Sequence, residues 1–292
     1  MNSKSLKYRK NILPTMGVIL IAAISLIVLQ FSCAKKPKDK FNPGDFPGPT
    51  ESFKDYNETI MQFDLGKEIN LKGRVMRMHY STMAPGGMIL QHSHANRPTT
   101  EYVVEGNTAE TKKDGTGKVV VEHLNANQNE LSTVGITHWW KNESKGMVKL
   151  MAIDIWVDSV TVVCRPQGKP RPLTEPLIAP PNPDNIKIEN LGKIDLEQQF
   201  PEIIEAKDYI MRSRRLTILP LQKTKLENSK GRPGITFILK GDVWENRSDE
   251  KSSIRREGEF SALNNGVSYY WENPTTETVV LWVVDIVKKG EQ

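Results

Sequence analysis

Gly86-Gly-Met-Ile-Leu-Gln-His92-Ser-His94-Ala-Asn-Arg97-Pro98, running on to Tyr102-Val-Val-Glu-Gly106, is the stretch on which the reading of this chain turns. Side chains alternate between the faces of a β-strand, so His-x-His sets two imidazoles on one face. A second stretch, Gly135-Ile-Thr-His138-Trp-Trp-Lys-Asn142, brings a third histidine from a distant strand. Three imidazoles that converge can hold a divalent metal and leave positions open for water or substrate. His79 and His123 lie on other predicted strands and read as exposed strand histidines.

The chain also repeats itself. Displaced by 135 residues, Met76-Arg77 falls on Met211-Arg212, Pro85 on Pro220, Arg97-Pro98 on Arg232-Pro233 and Gly106 on Gly241. Displaced by 131, Gly135 falls on Gly266, Trp140 on Trp271, Asn142 on Asn273 and Asp154-Ile155 on Asp285-Ile286. Such long-range self-similarity indicates two copies of one structural unit. Every ligand candidate is lost while the frame around them is kept: His92 becomes Glu227, His94 becomes Ser229 and His138 becomes Tyr269. Residues kept in both copies, Arg97, Trp140, Asn142 and Asp154 among them, are thereby assigned to the fold. Gln91, Glu101 and Trp139 remain peculiar to the first copy.

Gly86-x5-His92-x-His94 and Gly135-x2-His138-x3-Asn142 resemble the two motifs of the cupin superfamily, G-x5-H-x-H-x3,4-E-x6-G and G-x5-P-x-G-x2-H-x3-N. Thr99 stands at the glutamate position, Thr133 at the proline and Asn127 at the leading glycine of the second motif, while all three histidine positions are filled. The resemblance implies an all-β chain: two tandem cupin barrels of jelly-roll type, a bicupin, with a metal in the mouth of the first. It leaves the fourth ligand open. Glu101, two residues beyond Thr99, faces the same way and is either a replacement ligand or general base, hence a candidate catalytic residue, or a polar residue of the wall.

The N-terminus reads as a targeting segment. Lys4, Lys7, Arg9 and Lys10 precede an apolar run from Met16 to Leu29, and Cys33 follows. This is similar to a bacterial lipoprotein signal, residues 1–32, with Cys33 as the lipidated residue; the alternative is an uncleaved membrane anchor. Removing residues 1–32 lowers the formal net charge from +5 to +1, so nucleic acid is not an implied partner. Beyond the signal we expect a tether (33–59), a metal-binding cupin domain (60–163), a linker (164–194) and a degenerate cupin domain (195–292). The stretch Cys164–Pro183 holds seven prolines. Arg214-Arg215 and Arg255-Arg256 read as solvated charge clusters.

No phosphate-cradling glycine loop, G-x-S-x-G elbow, zinc-ribbon cysteine pattern or heptad repeat is present. The functional expectation is an exported, lipid-anchored protein of the bacterial cell envelope that binds a divalent transition metal: iron, manganese, nickel, copper or zinc. It acts on a small molecule, as a dioxygenase- or isomerase-like enzyme. The alternatives are a non-catalytic metal or small-ligand binding protein and a structural module.

Overall fold

In the computed structural model, which describes residues 46, 48–157, 177–181, 183, 184, 186–264 and 266–291, the first copy consists of eight strands. They are β1 (Phe53–Asp64), β2 (Arg74–Ser93), β3 (Thr99–Glu105), β4 (Asn107–Lys113), β5 (Val119–Asn125), β6 (Asn129–Ser132), β7 (Thr137–Lys141) and β8 (Val148–Val157). Their order is β5-β4-β7-β2-β8-β3-β6, with β1 also on β2. The long strand β2 serves both walls of the barrel: up to Met83 it pairs with β8, and from Met88 with β7. The change of partner falls at Pro85-Gly86-Gly87, where Gly86 has φ +74°, a conformation open to a residue without a Cβ.

The second copy comprises β9 (Lys187–Asp195), β10 (Tyr209–Ile218), β11 (Glu227–Asn228), β12 (Gly234–Lys240), β13 (Val243–Arg247), β14 (Ser253–Arg255), β15 (Phe260–Leu263), β16 (Ser268–Glu272) and β17 (Val279–Lys288). Its two sheets, β15-β12-β17-β10-β9 and β11-β16-β13-β14, are the two walls of the first barrel with the long strand divided into β10 and β11. The repeat seen in the sequence holds at the level of strand register. His92 lies opposite His138 and Glu227 opposite Tyr269; Arg77 lies opposite Asp154 and Arg212 opposite Asp285. Each copy also has a short helix after its first strand, Leu65–Ile69 and Leu196–Gln199, capped by the carboxylates of Asp64 and Asp195.

The residues kept in both copies hold these walls together. Arg77 donates two bonds to the buried Asp154 carboxylate at 2.9 and 2.6 Å, and Arg212 donates two to Asp285 at 2.9 and 2.7 Å. Bidentate pairs of this kind combine strength with fixed geometry. Arg97 comes within 3.7 Å of Asp154 and Arg232 within 3.8 Å of Asp285, so the Arg-Pro pair is structural in both copies. Asn142 Nδ2 donates to the carbonyls of Met83 and Gly146, and Asn273 Nδ2 to those of Ile218 and Glu277.

Several sequence expectations need correction. His79 is not exposed: it is largely buried, with Nδ1 3.1 Å from Thr59 Oγ1 and Nε2 3.3 Å from Asp154. Arg214 and Arg215 are not merely solvated, since Arg214 donates to Asp285 and Arg215 to the Tyr102 hydroxyl. Arg255 likewise reaches Glu245. Residues 53–59, expected in the tether, belong to β1, and 187–194, expected in the linker, belong to β9. Both are polar because each lies on one flank of its sheet with much of its surface in water, and backbone pairing rather than apolar burial holds it there. Phe46, also in the expected tether, is buried. The signal segment, Cys33 and the linker residues up to 176 lie outside the described residues.

The described residues fall in one compact unit, and the two barrels share a core. Met76, Met78, Met151, Ile153 and Ile155 of the first barrel join Met211, Trp282, Val284 and Ile286 of the second in one apolar cluster. Displaced by 135 or 131, several of these are equivalent positions, so the two barrels meet through the same wall. Polar contacts frame the apolar centre: Arg74 to Glu202 at 2.9 Å, Val134 N to Gln199 Oε1 at 2.7 Å and Arg215 to Tyr102 at 2.8 Å.

Two outcomes are expected. Trp282→Ala removes the largest side chain at this junction and should cost about 3–5 kcal/mol, with both barrels still melting in one calorimetric transition. For Asp154, burial alone raises the carboxyl, but Arg77 and His79 overcome this and hold it well below the usual carboxylate range. Its contribution is therefore complete above the unfolded value near pH ~4 and is lost as pH falls toward the folded value. Asp154→Asn should cost about 3–5 kcal/mol at neutral pH, and urea titrations should show the difference from wild type narrowing in acid.

Candidate metal centre

The three histidines named from the sequence meet inside the first barrel. β2 supplies His92, His94 follows one residue beyond its end with its backbone N–H on the Ile136 carbonyl, and β7 supplies His138 in register with His92. His94 and His138 are fully buried and His92 is partly exposed, so the cluster has a wet side and a dry side. Nε2 of His138 lies 2.9 Å from Nε2 of His92 and 2.8 Å from Nε2 of His94.

The opposite ring nitrogens settle which atoms carry protons. His92 Nδ1 lies 2.9 Å from the Leu90 carbonyl, and His94 Nδ1 lies 2.7 Å from the Arg97 carbonyl and 3.0 Å from Thr99 Oγ1. A carbonyl oxygen only accepts, so both Nδ1 atoms donate. His138 Nδ1 faces the buried carboxylate of Glu110. Burial, followed by the charges of Arg97 and Lys112, pushes His138 down to about 3, so this ring is neutral at ordinary pH. Burial, His138 and Arg97 push His94 well down too. A neutral ring with its proton on Nδ1 presents a bare lone pair at Nε2. Two such lone pairs, on His94 and His138, pointed at one another with His92 Nε2 beside them, repel unless a cation or a shared proton lies among the three. The donor set therefore fits a divalent transition metal, and His92, His94 and His138 are the residues that could bind it.

Glu101 lies elsewhere. Its carboxylate is 4.0 Å from Nδ1 of His138, on the side of the ring away from the shared Nε2 cluster, and it accepts from Ser132 Oγ at 3.2 Å. It is buried with Glu110 behind His138. Burial and then the Glu110 charge push Glu101 up, and burial likewise pushes Glu110 up against the opposing pull of Lys112. As placed here Glu101 supports the His138 side of the cluster rather than its open face. Thr99, at the motif's glutamate position, instead hydrogen-bonds His94 and the Arg97 carbonyl, which fixes the loop between the ligand strand and β3.

Glu110 was not singled out from the sequence, and it is the closest partner of a ligand histidine. A signal existed. Displaced by 135, Glu110-x-Lys112 falls on Glu245-x-Arg247, and both glutamates are fully buried. In the second barrel Glu245 receives Arg247 and Arg255. In the first, Lys112 donates to Glu122 and Glu130 at 2.8 and 2.7 Å and stands 3.7 Å from Glu110, whose other oxygen faces His138. Gln91 and Trp139, peculiar to the first copy, lie against Gly48, where an added Cβ would come within 2.3 Å of Gln91 Oε1, and Gln91 is buried there.

No protein-family profile and no curated protein matches the sequence. Solved structures do resemble it. AerE from Microcystis aeruginosa superposes with a TM-score of 0.50 at 13% identity, covering 83% of this chain and 99% of AerE. A Bacillus subtilis oxalate decarboxylase gives 0.51 at 15% identity, covering 85% of this chain and 76% of its own. The Lactobacillus farciminis oxalate decarboxylase in its formate complex gives 0.52 at 15% identity over 85% and 87%. At these identities the likeness concerns the fold, and it spans both barrels. By fold the chain resembles these proteins across both of its barrels, with three histidines that could hold a metal in the first barrel and Glu227, Ser229 and Tyr269 at the equivalent places in the second.

Proposed function

We propose that the first barrel is the active centre of a metal-dependent enzyme that transforms a small molecule by dioxygenase- or isomerase-type chemistry, in a lipoprotein of the bacterial cell envelope. The observation that carries the reading is the open geometry of the cluster. Three imidazoles supply only part of a coordination sphere, no carboxylate among the described residues joins their group, and the His92 side meets solvent. Sites of three protein ligands with open positions are the catalytic kind, whereas structural sites are closed by a fourth.

The bound metal, whether iron, manganese, nickel, copper or zinc, would supply Lewis-acid polarisation or redox chemistry at a substrate oxygen. His92, His94 and His138 would hold it. Glu110 keeps the His138 proton on Nδ1, so that Nε2 remains a donor. Glu101, pushed up by burial, holds a proton close behind the same ring. The buried His94 and His138 exclude water on the inner side, leaving approach through the His92 side.

A second reading, a binding protein without turnover, is favoured by the position of Glu101: its carboxylate faces Nδ1 of His138 and not the open side, where a general base would stand. Envelope localisation rests on the N-terminal sequence alone. Among the described residues no helix is long and apolar enough to cross a membrane.

Elemental analysis of the full chain should find a stoichiometric divalent transition metal, reduced to background in His92→Ala, His94→Ala and His138→Ala. Glu110→Gln should weaken metal binding by about 10–100-fold in chelator competition, the cost typical of losing the partner that orients a ligand histidine. Glu101→Gln should leave folding and metal content near wild type while turnover, in a screen of small-molecule substrates, is lost. Undiminished turnover removes Glu101 from the reaction, and a metal-loaded wild type inert to every substrate favours the binding reading. Mass spectrometry of the mature protein should find Cys33 as an acylated, diacylglycerol-bearing N-terminus, and an intact 1–32 segment would indicate a membrane anchor instead.

A further inference from the structure

The second barrel holds a cavity of about 320 Å³ at the place of the first barrel's metal cluster. Its floor is buried, formed by Thr236, Trp271 and Val283, and its rim at Pro183, Ile188 and Lys225 is exposed. The volume lies at the lower end of small-molecule pockets, which span about 300–1,000 Å³. Glu227 and Tyr269, the counterparts of His92 and His138, line it and are joined only by a long 3.4 Å contact from the phenol.

Two polar groups in the wall lack a partner. Thr236 Oγ1, at the position of Glu101, is fully buried and unbonded, and so is Arg214 Nε. Arg214 stands where the first copy has His79. A buried donor left unpaired is destabilising, and a bound acceptor would remove that cost. The charge balance selects its sign. Arg212, Arg214 and Arg232 surround Asp285, and Arg232 also reaches Glu227, so three guanidiniums stand against two carboxylates in and behind the wall, of which Arg214 and Glu227 line the cavity itself. Lys225 and Asp184 offset each other in the rest of the lining. Val283, in register between Arg214 and Thr236, and Leu216 and Trp271 supply the apolar lining.

We propose that the second barrel binds a small organic carboxylate, its anionic end on Arg214 Nε and the Thr236 hydroxyl and its apolar body against Leu216, Trp271 and Val283. The site is independent of the metal cluster, so its test does not depend on catalysis in the first barrel. The full chain in detergent is titrated calorimetrically, against a detergent-only blank, with phenylacetate and hexanoate and with phenylacetamide and hexanamide. The acids should bind saturably and the amides about tenfold or more weaker, since a hydrogen bond to a charged group contributes about 1.5–3 kcal/mol. Methyl resonances of Ile186 and Ile188, which line the cavity, should shift with the acids.

Arg214→Met and Thr236→Val should each weaken the acids by a similar factor, while His92→Ala leaves them unchanged. Thr236→Val keeps the side-chain shape and carries the test if Arg214→Met fails to fold. The proposal is overturned if neither acid binds more tightly than about 1 mM, if the amides bind equally well, or if Thr236→Val retains wild-type affinity.

Discussion

The buried carboxylate at the centre of each barrel is the constraint on which the rest depends. Asp154 sits on β8, is gripped from β2 by Arg77 and is approached by Arg97 from the loop after His94. The same Arg97 offers its carbonyl to His94 Nδ1 at 2.7 Å. One carboxylate thus fixes the two neighbouring strands and, through one arginine, the tautomer and direction of a ligand histidine. Removing a charge from such a buried group leaves its partners unpaired, which is costlier than never having built it. That asymmetry explains why the arrangement persists in the second barrel, where there is no histidine left to orient.

Legibility in the sequence followed the physics of each feature. The histidines were readable because strand alternation and a second motif specify their faces without any knowledge of packing. Arg97, Asp154 and Asn142 were readable as structural because the second copy kept them after losing the ligands. β1, β4 and β9 were not readable as strands. Lys54-Asp-Tyr-Asn-Glu, Thr108-Ala-Glu-Thr-Lys and Lys187-Ile-Glu-Asn have little of the apolar alternation that marks a strand, and neighbouring backbone holds them in place. Glu110 was hidden for the same reason: a charged residue inside a polar strand looks solvated until its partner, His138, is placed across the sheet.

The pairing of the barrels was hidden in another way. Met76, Met78, Ile153 and Ile155 announce a buried face in the sequence, but not what covers it. Their counterparts in the second copy cover it, so repetition itself supplied a matching surface. Two copies of one apolar wall can bury each other in the manner of a symmetric dimer, here within one chain. This gives the second barrel a reason to persist that does not involve a metal.

The same carboxylate network also accounts for how the two interiors diverged. A site for a divalent cation tolerates few cations nearby. In the first barrel the third group on Asp154 is His79, which burial keeps neutral against the pull of Asp154, and Glu101, Glu110 and Glu130 lie around Lys112 and the rear of His138. In the second barrel that third group is Arg214, a permanent charge, and Thr236 and Ser261 replace Glu101 and Glu130. A cation brought to Glu227, Ser229 and Tyr269 would face three guanidiniums with a single carboxylate ligand to compensate, and burial and the neighbouring carboxylates push the Tyr269 phenol up, keeping it protonated and a poor ligand. The exchange of one histidine for one arginine beside a kept aspartate, together with the loss of two glutamates, therefore shifts the charge of the interior. One barrel is left suited to a cation and the other to an anion, on an unchanged frame.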